Sequence, residues 1–419
     1  MTSDGKKHLY VWAYLPGEAI PAMAGRLSVE NSPSVRHGVF QYSKSYLANP
    51  NAFSLDPIKL PLNETKHEFT ALGGFPSALL DSCPDNWGIR VIHQLSGEKD
   101  VPEGYLLMND PGRVGALAFT EDKRTPIELS SREFSIGELL KAAESVESGD
   151  PVDEELLRAL NPGTGGARPK CNIVYKGQLW IAKFPSSKDL AIVSQPRIEH
   201  AVMTLAGICG LDVAQTELIQ VDGKDVCLVR RFDRKVVDGA ILRQHYLSAR
   251  TLFYADDNFN KTGLGSYQRL ARWLQRYVAN NAQSKLELYK RMVFNVAVRN
   301  SDDHELNHGL IHVRDNEYRL SPAFDISPIP SSNLVKQHAL LIGSSGDGTI
   351  SALLEAAEGF SISQDIAFGV IEKMQSQIAE HWLDNLYSCG FDDAQVAAVS
   401  GLFRPIPYEK VAKANRKTI

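Results

Sequence analysis

The stretch RNSDDHELNHGLIH, Arg299 to His312, admits two readings, and the choice between them decides the fold. His304 to His308 reads as H-E-x-x-H, in which two histidines one helical turn apart bind zinc and the glutamate acts as a base. Asp302 and Asn307 have instead the D-x-x-x-x-N spacing of a phosphoryl-transfer loop. There the aspartate accepts the proton of the attacking hydroxyl and the asparagine holds a metal ion. The zinc reading needs a helix and a third ligand. DDHELNHG is too polar for a buried helix, and GLIHV after it reads as a strand. The positions at which the extended zinc motif wants a glycine and a third histidine hold Ile311 and Arg314. The phosphoryl-transfer reading is the better supported, and it requires companions elsewhere in the chain.

Working outward, Asp325 in SPAFDISP follows a hairpin and is bracketed by prolines, which places it on a loop. With Asn307 it offers the hard oxygen ligands that Mg²⁺ prefers beside phosphate, although a turn aspartate fits the same sequence. Upstream, NIVYKGQLWIAKF reads as a hairpin around Lys-Gly. Alternation sets Leu179, Ile181 and Lys183 on one face, an apolar face ending in a lysine, suited to covering a base and reaching a phosphate. For any single strand lysine a solvated surface position is the commoner case. Glu199, on the helix read at PRIEHAVMTLAGICG, is a candidate partner for Lys183 or an ordinary solvated glutamate.

GTGGARPK carries Gly163, Gly165 and Gly166, which permit close approach of backbone N–H groups to phosphate, with Arg168 and Lys170 adding positive charge. It is not a Walker loop, since no Lys-Ser/Thr pair follows a G-x-x-x-x-G. VRRFDR, 229–234, falls where a small lobe would cross to a large one.

Along the chain, residues 1–125 read as a mixed α/β module. Strands are expected at YVWAYL, HGVFQYSKSYL and GRVGALAF, and helical spacing at FPSALLDSCPDNWGIRVIHQL. Residues 126–240 read as a small hairpin-rich lobe containing the glycine loop, opened by a helix capped by Ser135 and stopped at Gly149. Its second hairpin turns at Asp222-Gly223. Residues 241–419 read as a large helical lobe interrupted by the hairpin GLIHV-RDNE-YRLS. The fold class is therefore α+β and protein-kinase-like, with nucleotide expected in the cleft between lobes, by analogy of layout.

The chain has 419 residues, net charge −5, 43% hydrophobic and 23% charged residues, which excludes a protein binding nucleic acid over its whole surface. Five widely spaced cysteines without a C-x-x-C pair fit a reducing cytoplasm rather than a disulfide framework or structural zinc. The apolar run near the N-terminus is short and reads as a strand rather than a leader, and no apolar run approaches a membrane span.

Taken together, GGARPK, IAKFPS, VRRFDR, NSDDHELNHG and SPAFDISP, in this order and spacing, resemble the HipA family of serine/threonine kinase toxins. GRVGALAF and LLDSCPDNWGIRVI are similar to that family's N-terminal region, so the resemblance covers nearly the whole chain. It implies an ATP- and Mg²⁺-dependent protein kinase, the toxin of a toxin–antitoxin pair. In known members the substrate is an aminoacyl-tRNA synthetase and phosphorylation arrests growth. The implied partner is a small HipB-like helix-turn-helix antitoxin, with DNA reached only through it. By the same resemblance Asp302 is the catalytic base, and Asn307 and Asp325 hold Mg²⁺. Lys183 contacts ATP, and Gly165, Gly166, Ala167, Arg168, Pro169 and Lys170 form the phosphate loop. Arg230, Arg231 and Phe232 form the hinge, and His304, Glu305 and Leu306 belong with Asn307 to the nucleotide-contacting loop. One departure stands out. The family's autophosphorylated serine before the glycines is here Gly163, which leaves Thr164 as the nearest hydroxyl. A catalytically silent kinase fold acting as corepressor with its antitoxin is the alternative.

Overall fold

A computed structural model of the chain describes residues 6–31, 36–97, 102–108, 112–126, 133–160, 163, 166–255, 259, 262–330 and 337–409. Thr164 and Gly165 lie outside the described residues. The architecture is α+β. The chain divides into two compact units, each drawn from separated stretches. One comprises Met1–Asp189, Ala214–Ala255 and Gly309–Ser321, and the other Leu190–Val213, Asp256–His308 and Pro322–Ile419.

In the first unit an antiparallel sheet has the order His67–Phe69, Arg36–Tyr42, Ala22–Asn31, Lys6–Ala13, Leu117–Thr120. Its apolar face buries Leu9, Val11, Leu27, Phe40, Phe75 and Phe119. Strand is expected through SKSYL, but the strand ends at Tyr42 and Lys44–Leu47 is a helical turn. Ser43 intervenes and caps that turn, its hydroxyl accepting the Tyr46 N–H at 3.1 Å. The helical stretch 75–95 is broken in two, Ser77–Leu80 and Asn86–Ser96, with Pro84 between them.

A second antiparallel sheet, ordered Lys170–Tyr175, Gln178–Lys183, Lys224–Arg230, Thr216–Val221, is made of two hairpins. Their turns fall at Lys176-Gly177 and Asp222-Gly223, all four residues with φ between +49° and +76°, the two-residue geometry that follows the twist of the strands. Its core packs Cys171, Trp180, Ala182 and Leu228 against Leu139, Leu140 and Val146 of the helix Ile136–Ser148 and against Trp87 and Val91 of Asn86–Ser96. That first helix has the expected cap: Ser135 accepts the Glu138 N–H, Glu138 answers the Ser135 N–H, and Gly149 ends it at φ +84°.

The second unit is mainly helical, with Gln195–Ile208, Tyr267–Tyr277, Asn281–Ala297 and Gln364–Ser388 as its longer helices. Asn281–Ala297 packs between Tyr267–Tyr277 and Gln364–Ser388. All five cysteines are free thiols. Among the described residues no helix is long and apolar enough to cross a membrane.

Asp56 is a buried carboxyl in the first unit, 1% exposed. Burial pushes its pKa up to about 6, against the pull of the Ile58 and Lys59 amides. A raised pKa means that stability is full below the unfolded value and is lost as pH rises through 6. Asp56→Asn, which removes the charge, is therefore expected to stabilise the protein by about 3 kcal/mol at pH 7 and by about 0.5 kcal/mol at pH 4. Denaturant midpoints at the two pH values measure it.

Candidate functional site

The candidate residues fall into two sets, one in each unit. In the first unit, the hairpin register pairs Lys170 with Lys183 directly across adjacent strands. Paired residues of an antiparallel ladder project to the same face, so two ammonium groups stand on one side of the sheet end. Lys170 is 4% exposed. Two lysines on one face raise the local positive potential, which suits an anion. Alternation is as expected, with Trp180 and Ala182 buried and Leu179, Ile181 and Lys183 half-buried on the other face.

Gly166 leads into this strand with φ +108°, a conformation L side chains rarely adopt, and a Cβ there would also run into the Lys170 ammonium. The loop between is held at both ends: Trp87 N–H donates to Gly166 O at 3.1 Å, and Phe184 N–H to Pro169 O at 2.9 Å. Ala167 is exposed, and Arg168 is half-buried in an ion pair with Asp189. Gly166→Ala is expected to weaken binding of an adenine nucleotide at least about tenfold, since left-handed backbone costs a side chain 1–2 kcal/mol and moves the loop. Titration with a fluorescent ATP analogue measures the loss.

Arg231 and Arg230 have different surroundings. The Arg231 guanidinium is buried and donates to both Asp233 carboxylate oxygens, at 2.9 and 2.6 Å, and to Asn172 Oδ1 at 2.7 Å. Its backbone N–H donates to Leu179 O at 3.0 Å. Arg234 reaches the same carboxylate at 2.7 Å. Burial by itself would raise the Asp233 pKa, but the two guanidiniums outweigh it and hold the carboxyl well below its usual range. This cluster ties the carbonyls of Gly112, Arg113 and Gly115 to the strand end, so VRRFDR does structural work through Arg231, Asp233 and Arg234. Arg230 is exposed, its guanidinium near Gln215 and Gln178, and Phe232 is half-buried beside the Tyr246 ring.

In the second unit, the helix Asn281–Ala297 ends at Val298, and Arg299 turns the chain with φ +59°. Residues 300–308 form no helix, so no single helix face presents His304 and His308 together. Asp302 is exposed, while the neighbouring Asp303 is 2% exposed. Three donors converge on Asp303 Oδ2: the Tyr267 hydroxyl, Asn295 Nδ2 at 2.9 Å and His308 Nε2 at 2.7 Å. Burial pushes this carboxyl up, yet His308, its hydrogen bond and the Tyr267 hydroxyl together leave its pKa lowered. Asn300 Nδ2 in turn donates to Asn295 Oδ1 at 3.0 Å. The loop that exposes Asp302 is thus nailed down one residue later by a buried polar network.

Asn307 closes the loop. Its N–H donates to His304 O at 3.0 Å and its Nδ2 to Asp302 O at 3.4 Å, which leaves Oδ1 as an oxygen acceptor. His304, Glu305 and Leu306 are half-buried, and His304 Nδ1 accepts the Leu306 N–H at 3.3 Å. Asp325, with φ +59°, sits on a loop pinned on both sides. Ala323 N–H donates to Asp212 O at 2.8 Å, and Gln195 Nε2 donates to Ser327 Oγ at 2.9 Å and Pro328 O at 3.0 Å. Aspartate tolerates left-handed backbone better than most residues, and such strain concentrates at working sites. The oxygens of Asn307 and Asp325 suit Mg²⁺ completed by phosphate and water. Among the described residues no three His, Cys, Asp or Glu side chains gather as a metal-binding group. Glu199 is buried at 3% exposure, not a solvated helix glutamate.

The sequence reading passed over Asp303, Tyr267, Asn295 and Asp85. A second aspartate beside the catalytic candidate was the available signal for Asp303. Tyr267 and Asn295 reach it from other helices and leave no local trace.

The model of the HipA-like C-terminal domain matches residues 163–382, just over half of the chain. Two proteins of Sinorhizobium fredii named putative kinases are similar in sequence. One, Y4dM, is 29% identical over 37% of this chain and 38% of its own length, so that match spans little more than a third of either protein. The other, Y4mE, is 28% identical over 74% of this chain and 77% of its own. Among solved structures, HipA of Shewanella oneidensis MR-1, in complex with HipB and its operator DNA, superposes with a TM-score of 0.69 at 18% identity, covering 94% of each chain. At that identity the likeness shows a shared fold.

Proposed function

The chain belongs to the HipA family, and on that premise we propose that it is an ATP- and Mg²⁺-dependent protein serine/threonine kinase acting as the toxin of a toxin–antitoxin pair. The observation that carries the kinase reading is the cross-strand pairing of Lys170 with Lys183 at the end of a glycine loop. Two cations on one face beside left-handed glycine backbone form a receptor for a polyphosphate.

In this reading Gly166 to Lys170 and Lys183 hold the phosphates, and Arg230 and Phe232 border the base. Asp302, exposed on an anchored loop, accepts the proton of the incoming serine or threonine hydroxyl as its oxygen bonds to the γ-phosphorus, while the bond from that phosphorus to the β,γ-bridging oxygen breaks and ADP leaves. Asn307 and Asp325 are the residues that would hold Mg²⁺, which when bound neutralises phosphate charge. The naming of relatives as putative kinases agrees with this reading. The HipB-bound Shewanella relative supports a helix-turn-helix, DNA-binding antitoxin as partner, and the family resemblance supports a translation component such as an aminoacyl-tRNA synthetase as substrate. Thr164 is the proposed site of any self-modification.

The test is transfer of labelled phosphate from ATP to proteins of a host lysate, with phosphosites identified by mass spectrometry. Mg²⁺-dependent label on serine or threonine is expected. Nucleotide binding without any transfer would sink the kinase reading and favour the silent corepressor.

A further inference from the structure

Asp85 stands at the N-cap of the helix Asn86–Ser96, in extended backbone (φ −110°, ψ −157°), yet its side chain makes no cap bond. An aspartate there ordinarily accepts its own helix's first amides. Here the carboxylate turns away and accepts the N–H of Gly166. Its other oxygen, Oδ1, is buried and has no hydrogen-bond partner among the described residues. Both omissions cost stability. Two residues on, Trp87 completes the grip: its backbone N–H donates to Gly166 O at 3.1 Å and its indole Nε1 to Lys170 O at 2.8 Å. Trp87 is fully buried among Trp180, Ala182 and Leu228, so the turn is rooted in the core of the strands that carry Lys170 and Lys183. One three-residue turn therefore grips the glycine loop at both ends.

We propose that Asp85 is a positioning residue for the phosphate loop, fixing Gly166 in its left-handed form so that the loop and the Lys170 ammonium stand ready for nucleotide. The segment Asp85–Trp87 then sets ATP affinity from outside the family-matched region 163–382. The functional half of this inference rests on the kinase reading; the grip itself does not. The carboxylate acts through Gly166 and touches no substrate.

The experiment compares full-length wild type, Asp85→Ala and Asp85→Asn. Asparagine keeps an oxygen that accepts the Gly166 N–H, and alanine does not. Asp85→Ala is expected to raise the KM for ATP about tenfold, the loss of one hydrogen bond to a charged group. Its kcat should stay within about twofold. Asp85→Asn should return KM close to wild type. Hydrogen exchange of residues 166–170 without nucleotide should quicken in the alanine variant and not in the asparagine variant. An unchanged or lowered KM in Asp85→Ala overturns the proposal; a lowered value would mean that the carboxylate competes with phosphate. Should the wild type transfer no phosphate at all, the kinase reading fails instead, and exchange still decides the grip: equal rates in wild type and Asp85→Ala overturn it.

Discussion

Asp302→Asn is expected to reduce phosphoryl transfer about a thousandfold or more in kcat, while the protein stays folded and binds nucleotide. The separation of the two effects follows from position. Asp302 is exposed, and among the described residues its carboxylate takes no hydrogen bond and no ion pair. Removing its charge therefore leaves no buried group unsatisfied, and a surface change of this kind shifts stability by less than about 0.5 kcal/mol. The loop keeps its shape because the bonds that hold it run through Asp303 and Asn307. On the proposed mechanism, what disappears is the acceptor for the hydroxyl proton, a loss confined to the transition state. Single-turnover transfer of labelled phosphate gives the rate, a fluorescent ATP analogue gives binding, and thermal melting controls for folding. Near-normal transfer by Asp302→Asn would remove this residue from the mechanism.

His308→Ala has the opposite signature. It lowers folding stability by about 3 kcal/mol, because it strips one partner from a buried pair and leaves the Asp303 charge under-compensated. Asp303 is 2% and His308 3% exposed, with 2.7 Å between Nε2 and Oδ2, so solvent screens neither. Replacing both residues by leucine should cost less than the sum of the two single changes, since no charge is then left buried, and the double-mutant cycle reads the coupling directly. The pH dependence has a definite sign. The folded-state pKa of Asp303 is lowered, so its contribution is fully present above the unfolded value near 4 and is lost as pH falls below that toward the folded value. Asp303→Asn should therefore flatten the acid limb of the stability profile below about pH 4. Activity should fall as well, because the loop that presents Asp302 loses its anchor. Chemical denaturation across pH measures the first effect and kcat the second.

Local signals carried much of the fold. Asp-Gly and Lys-Gly turns, the Ser135 capping box and the 3.6-residue apolar stripes act over a few residues, so both hairpins of the second sheet and the long helices could be read from neighbours in the chain. Reading failed where a local breaker was passed over in favour of the surrounding pattern. Lys44–Leu47 leaves the strand because Ser43 caps a helical turn. The helical period at 75–95 is split around Pro84, and its second half packs with the strands of the second sheet through Trp87 and Val91.

The site divides along the same line. By itself the sequence determined which residue types stand at kinase spacing, Asp302 with Asn307, Asp325, Lys183 and the glycines, since spacing is a property of one segment at a time. It also determined the family, because five ordered motifs do not arise by chance. Only the tertiary structure decided that Lys170 stands opposite Lys183, that Arg231 is committed to Asp233, that His308 answers Asp303, and that Asp85 grips Gly166. Each of these depends on strand register, burial or side-chain direction, none of which residue type and spacing state. Burial also sets the strength of each contact, since a charge removed from water must find its partner within hydrogen-bond reach.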